Sequence, residues 1–275
     1  MNPRAGHRRI RAIVSDLDGT LWSGRAEVHP ATRAALDTLE AREVPVAFAT
    51  GRRLVSAREG LDPLGWEGPL ITMNGAVGTD LRTGEEWHRC AFTAAQAATL
   101  WEQLTAAALR PVVYVCDRTT DVILPEGCST SAAHYRHFPV GAPVDPRPWM
   151  DSGRIIGFAL CGVRGDVARR AEGVARQLMA SAEVHVGPDA TYGGLWLAIG
   201  PRAATKETAV AAWCTARGLS SGGVLAVGDG GNDLGLLAWA GLSVAVRGSA
   251  CAAVGADALI DPPSTGGWAQ LLELL

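Results

Sequence analysis

The sequence predicts an α/β chain in which a parallel sheet is interrupted by a smaller α/β insertion. Three observations carry this: strand-like and helical segments alternate from Arg9 to Met73, the alternation resumes at Lys206, and the stretch between keeps a rhythm of its own. In the first run Arg9–Ser15 reads as extended, Pro30–Arg42 as helical, Val44–Ala49 as extended, Arg53–Asp62 as helical and Pro69–Met73 as extended. In the middle, Pro111–Cys116, Asp121–Leu124, Arg154–Cys161, Glu183–Val186 and Leu195–Ile199 read as strands and Asp166–Ala180 as a helix. Prolines and glycines gathered from Pro139 to Pro148 mark a surface loop there. After Lys206 come a helix to about Arg217, a strand at Gly223–Val227, a helix at Asp233–Ala240, a strand at Leu242–Val246 and a closing helix at Gly266–Leu274. The expected organisation is a Rossmann-like core in two pieces, 1–76 and 202–275, enclosing a second α/β domain at 77–201.

Composition narrows the function. The 275 residues, 48% of them hydrophobic, suffice for two domains with buried cores. A net charge of −3 without a basic block recommends neither nucleic acid nor an anionic membrane, so a small molecule is the expected partner, with the protein a monomer or small homo-oligomer. The six cysteines stand far apart with no Cys-x-x-Cys spacing and read as reduced and mostly buried. The basic stretch 1–11 is followed by an apolar run that already breaks at Asp16, too short for a signal-peptide core. No segment approaches the roughly 20 apolar residues of a spanning helix, and a cytoplasmic protein is expected.

Four segments carry chemistry. Asp16-Leu17-Asp18-Gly19-Thr20 ends the first strand with two carboxylates one residue apart, aimed at a shared point because alternate residues of an extended chain face the same side. Such a pair is stable when one carboxyl is protonated or a cation lies between them; a simple polar turn is the alternative. Thr50-Gly51-Arg52 falls where a strand gives way to a helix, offering a hydroxyl and backbone N–H groups to an anion, or a helix cap. Lys206 opens a helix, where the macrodipole disfavours a cation unless an anion is bound; an exposed lysine is the alternative. Gly228-Asp229-Gly230-Gly231-Asn232-Asp233 combines a flexible turn with Asp229 and Asp233 bracketing a helix start, as a cation's ligand and its support would. In parallel sheets ligands bind at the carboxyl ends of strands, so these segments should meet.

These four motifs, in this order, resemble the haloacid dehalogenase superfamily. About 34 residues separate the first motif from Thr50 and about 155 separate Thr50 from Lys206, which places the family's cap domain between the second and third motifs. With Met73-Asn74-Gly75-Ala76 before it and Ser243-Val244-Ala245-Val246 after the fourth motif, the chain is similar to the Cof-like sugar phosphatases of that superfamily. The resemblance implies a magnesium-dependent phosphomonoester hydrolase, with Asp16 as nucleophile and Asp18 as general acid and base. It implies Mg2+ held by Asp16, Asp18 through its backbone carbonyl, Asp229 and Asp233. It places the transferring phosphate and substrate on Thr50, Gly51, Arg52, Asn74, Lys206 and Asn232. Two departures from the family pattern are Glu207 after Lys206 and Gly248-Ser249-Ala250 in place of an Asn-Ala. A phosphomutase of the same fold, and a sugar-phosphate-binding regulator without activity, are the alternatives.

Selectivity is expected in the inserted domain, with His134, Arg136, Arg154 and Tyr192 as candidate contacts. His134 and His137 also suit an ordinary solvated loop. Trp22 could roof the substrate or pack in the core.

Overall fold

The computed structural model describes residues 9–24, 26–117, 120–138, 141–177, 182–189 and 191–275. The chain divides into two compact units, Met1–Arg89 with Thr205–Leu275, and Cys90–Ala204. The first run comprises β1 (Ala12–Ser15), α1 (Pro30–Ala41), β2 (Val46–Ala49), α2 (Leu54–Leu61), β3 (Pro69–Thr72), β4 (Val77–Asp80) and β5 (Glu86–Arg89). The inserted unit holds α3 (Ala94–Ala106), β6 (Val112–Val115), β7 (Val122–Ile123), α4 (Ala132–Tyr135), α5 (Arg147–Met150), β8 (Ile155–Val163), α6 (Gly165–Gln177), β9 (Ala182–Pro188) and β10 (Leu195–Pro201). The chain ends with α7 (Lys206–Thr215), β11 (Val224–Gly228), α8 (Leu234–Trp239), β12 (Leu242–Val246), α9 (Ala250–Val254) and β13 (Ala258–Ile260).

The large sheet runs β13-β12-β11-β1-β2-β3-β4-β5, parallel from β13 to β3 and antiparallel over the last two strands. β1 and β2 are buried throughout, which is why they read as unbroken apolar runs. Alternate residues feed opposite faces. Ile13, Phe48, Leu225 and Val244 join Leu39, Leu61, Trp268 and Leu271 in one core, whereas Ala12, Ala47, Ala49, Ala226 and Ala245 meet Val210, Trp213 and Leu236 in the other. In the inserted unit an antiparallel sheet, β7-β6-β8-β10-β9, packs Phe158, Leu160 and Leu197 against Leu100, Leu104, Ala168 and Ala171 of α3 and α6.

Several expectations need amendment. Residues 77–89, assigned above to the insertion, continue the large sheet as β4 and β5, because Val77 and Gly78 pair back on Thr72 and Ile71. Helix α3 was not anticipated, although Thr93 and Gln96 form a reciprocal capping box at its start. Edge strand β13 was also unforeseen, and the closing segment Gly267–Leu274 is a 3-10 helix. The expected Pro139–Pro148 loop ends in a buried Pro146 leading into α5. Pro139 and Val140 of that loop, and residues 178–180 of the expected helix, lie outside the described residues. All six cysteines are free, with Cys214 and Cys251 buried and the other four partly so. Among the described residues no helix is long and apolar enough to cross a membrane.

Candidate active site

The carboxyl ends of β1, β2 and β11 and the first turn of α7 converge within the first unit. Asp16 follows directly on β1, its N–H donating to Val227 O at 3.0 Å, and its side chain is buried. Lys206 Nζ, wholly buried, donates to Asp16 Oδ1 at 2.5 Å and to Asp233 Oδ1 at 2.6 Å. The anions that offset its unfavourable place at a helix start are thus the protein's own carboxylates. Gly75 brings this helix in: at φ +107° it passes so close to Thr205 that a Cβ there would lie 2.0 Å from the Thr205 carbonyl oxygen.

Asp233 has two tasks. Its Oδ1 meets Lys206, while its Oδ2 accepts from the backbone N–H groups of Asp229 (3.1 Å) and Gly230 (2.9 Å), pinning the loop that carries Asp229. Thr20 Oγ1 donates to Asp229 Oδ1 at 3.2 Å. Gly19, at φ +76°, lies so near that a Cβ would sit 2.4 Å from Asp229 Oδ2. Asp16, Asp229 and Asp233 each bring an oxygen within 4.8 Å of the others. Three carboxylates with one lysine leave the cluster short of positive charge, and its hard oxygen donors could hold a divalent cation.

Electrostatics records the shortage. Burial pushes the Asp16 carboxyl up to about 7; Lys206 opposes the rise, and the Asp233 and Asp229 charges add to it. Asp229 is also raised, by burial and by Asp233. Burial alone would lower Lys206, but its two carboxylate partners outweigh that and hold it charged above its usual range. An acid whose folded pKa lies above its unfolded value of 3.8 binds its proton more tightly when folded, so that stabilisation is full at low pH and is lost as pH rises towards 7. In chelator, the unfolding free energy of the parent relative to Asp16→Asn should therefore fall between pH 4 and pH 7. A flat difference across that window contradicts the assignment.

Asp18 stands apart from the acidic triad. Arg52 grips it with a fork, Nε to Oδ2 at 2.7 Å and Nη2 to Oδ1 at 2.6 Å, and Trp22 Nε1 donates to Oδ1 at 3.0 Å. Arg52, expected on the phosphate, directs three of its five guanidinium N–H groups to Asp18 and, through Nη1, to Ser56 O at 3.0 Å. Trp22 is fully buried in the core and is no roof. Thr50 is buried and its hydroxyl accepts from Arg52 N at 3.1 Å, while the cap of α2 is Arg53. Asn74, at φ 55°, donates from its N–H to Thr50 O at 3.0 Å, and its Oδ1 accepts from Asn232 Nδ2 at 2.9 Å. A Cβ on Gly51 would lie 3.0 Å from that same Oδ1, so Thr50, Gly51, Asn74 and Asn232 form one patch.

Sequence reasoning missed Thr20, although it sits inside the first motif, and Cys251, whose thiol donates to Gly230 O at 3.0 Å and whose N–H donates to Asp229 O. Ser249, which caps α9, was the signal for the latter. Within the inserted unit His134 is buried, its Nδ1 2.6 Å from Thr130 Oγ1 and its ring against Phe138 and Tyr192, so it belongs to no solvated loop. Arg154 pairs with Asp117, whereas Arg136 borders two open cavities of about 540 and 360 Å³.

Residues 13–140 and 177–260 match the model of the haloacid dehalogenase-like hydrolases. Over 65 residues the chain is 38% identical to a phosphoglycolate phosphatase of Methanopyrus kandleri, covering 24% of this chain and 28% of that protein. It is 45% identical over 65 residues to an HMP-PP phosphatase of Serratia proteamaculans, covering 24% of each. The matched segment thus spans about a quarter of these curated relatives. A solved sugar phosphatase of HAD subclass IIB superposes with a TM-score of 0.73 at 20% identity, covering 96% of this chain and 98% of that one, a likeness of fold.

Proposed function

Because the chain belongs to the haloacid dehalogenase-like hydrolases, we propose that it hydrolyses phosphomonoesters of small metabolites, phosphosugars among them, through an aspartyl-phosphate at Asp16. The observation that carries this reading is the pairing of buried Asp16 with Lys206 beside Asp229 and Asp233, with a second carboxylate, Asp18, two residues on and separately held. Asp16 attacks phosphorus and the ester P–O bond breaks, its electron pair staying on the departing oxygen, which takes a proton from Asp18. Asp18 then takes a proton from water as that water attacks phosphorus, releasing inorganic phosphate and the Asp16 carboxylate. Lys206 offsets negative charge on the transferring group, which Thr50 and the Gly51 amide orient. Asn74 and Asn232 flank it, and Arg52 acts on it through Asp18.

A divalent cation, Mg2+, would be held by Asp16, Asp229 and the Asp18 carbonyl with Asp233 in support, and supplies the charge neutralisation that lets a carboxylate approach a phosphate. Excess chelator is expected to abolish phosphate release and magnesium to restore it, with calcium a poor substitute because its looser coordination disturbs in-line geometry. Full activity in chelator that magnesium cannot raise would sink the cation site. A panel of sugar, polyol and nucleotide phosphates, read by product mass, tests the reaction itself. Free phosphate is the expected product; an isomeric phosphate would make the protein a mutase, and no turnover on any member would contradict the reading.

A further inference from the structure

We infer that Trp22 is a positioning residue that assigns the working proton of Asp18 to Oδ2, so that expulsion of a poor leaving group depends on a buried indole N–H. The inference rests on the proton-donor reading of Asp18 given above. A carboxylate offers about four acceptor positions, two on each oxygen. Oδ1 has both filled, by Arg52 Nη2 at 2.6 Å and Trp22 Nε1 at 3.0 Å, while Oδ2 accepts Arg52 Nε alone among the described residues. One position is left on Oδ2.

The indole is held there. It is fully buried, and a Cβ on Gly60 of α2 would lie 2.7 Å from its ring, so helix and indole are in direct contact. Its N–H has a carboxylate partner, whereas the buried indole N–H groups of Trp66, Trp87 and Trp213 have none among the described residues. The Arg52 guanidinium lies 5.4 Å from the ring centroid, so the indole steadies both the carboxylate and its cation. In the chemical step the Oδ2 proton passes to the bridging oxygen as the P–O bond breaks and the electron pair stays on that oxygen. The emptied Oδ2 then accepts a proton from the attacking water.

The alkoxide leaving an alkyl phosphate needs that proton, whereas p-nitrophenyl phosphate releases a stabilised p-nitrophenolate that needs it little. Trp22→Phe, and a variant with 3-benzothienylalanine at position 22 that keeps the ring shape but has sulfur in place of N–H, are to be compared with the parent on glycerol 3-phosphate and p-nitrophenyl phosphate. The alkyl-to-aryl ratio of kcat/KM, which reports the steps only up to departure of the leaving group, is expected to fall about tenfold in both variants, a fraction of what a positioned acid contributes, while the hydrolysis step shared by both substrates lowers kcat for each alike. A parallel loss of kcat/KM on both substrates, or no change in that ratio, overturns the inference. If Trp22→Phe does not fold, the shape-conserving variant decides alone. Asp18→Asn separates the two readings: it should lower the ratio further. An unchanged ratio there refutes Asp18 as proton donor, while a lowered ratio there with both position-22 variants unaffected refutes only the role of Trp22.

Discussion

Replacing Asp16 by asparagine is expected to lower kcat by about 10⁴-fold or more on every phosphomonoester while the fold persists. The amide keeps the carboxylate's shape but lacks the attacking oxyanion, and loss of a nucleophile removes a whole reaction path. The fold should survive because Lys206 retains Asp233 at 2.6 Å and one of three crowded carboxylates is gone. Steady-state phosphate release checks the first half and thermal unfolding the second. Activity within tenfold of the parent at equal magnesium would show that Asp16 is not the nucleophile.

Replacing Lys206 by methionine should damage both activity and stability. Its Nζ is the shared partner of Asp16 and Asp233, in a residue 1% exposed, so methionine fills the same space but leaves two buried carboxylates facing each other. Breaking a buried pair from one side costs about 3–5 kcal/mol, which in a chain of this size is a fall in Tm of about 10 °C. Turnover should fall at least about 10²-fold through loss of charge stabilisation at the transferring phosphate. Much of the lost Tm should return at pH 5, where protonation of a carboxylate relieves the repulsion. A Tm unchanged at pH 7.5 would mean that the pair is not held as the structure has it.

The sequence was most legible where local chemistry broke a pattern. The apolar run of β1 stops at two aspartates, and the turn after β11 carries three polar side chains among glycines, so their placement at strand ends could be read directly. Partnerships across long separations could not. The Lys206–Asp16 and Lys206–Asp233 bonds arise from a helix packed beside two strands, and the Arg52 fork on Asp18 depends on the path of the chain between them. Trp22 is the instructive case: its burial was one open reading, but its N–H reaches Asp18 only because Gly19 to Leu21 turn the chain, with Gly19 N–H donating to Trp22 O at 2.9 Å. Residues 77–89 were misassigned because a hairpin that extends a parallel sheet and one that begins an inserted domain have the same local pattern; only the pairing of β4 with β3 distinguishes them.

The most direct test of the account is chemical trapping of the acyl phosphate. The enzyme, turning over with magnesium and a small phosphosugar, would be quenched and treated with borohydride, which reduces an aspartyl-phosphate to homoserine, then digested and sequenced by mass spectrometry. The account predicts homoserine at position 16, absent without substrate and absent in Asp16→Asn. Homoserine at another aspartate, or none during rapid turnover, would contradict it.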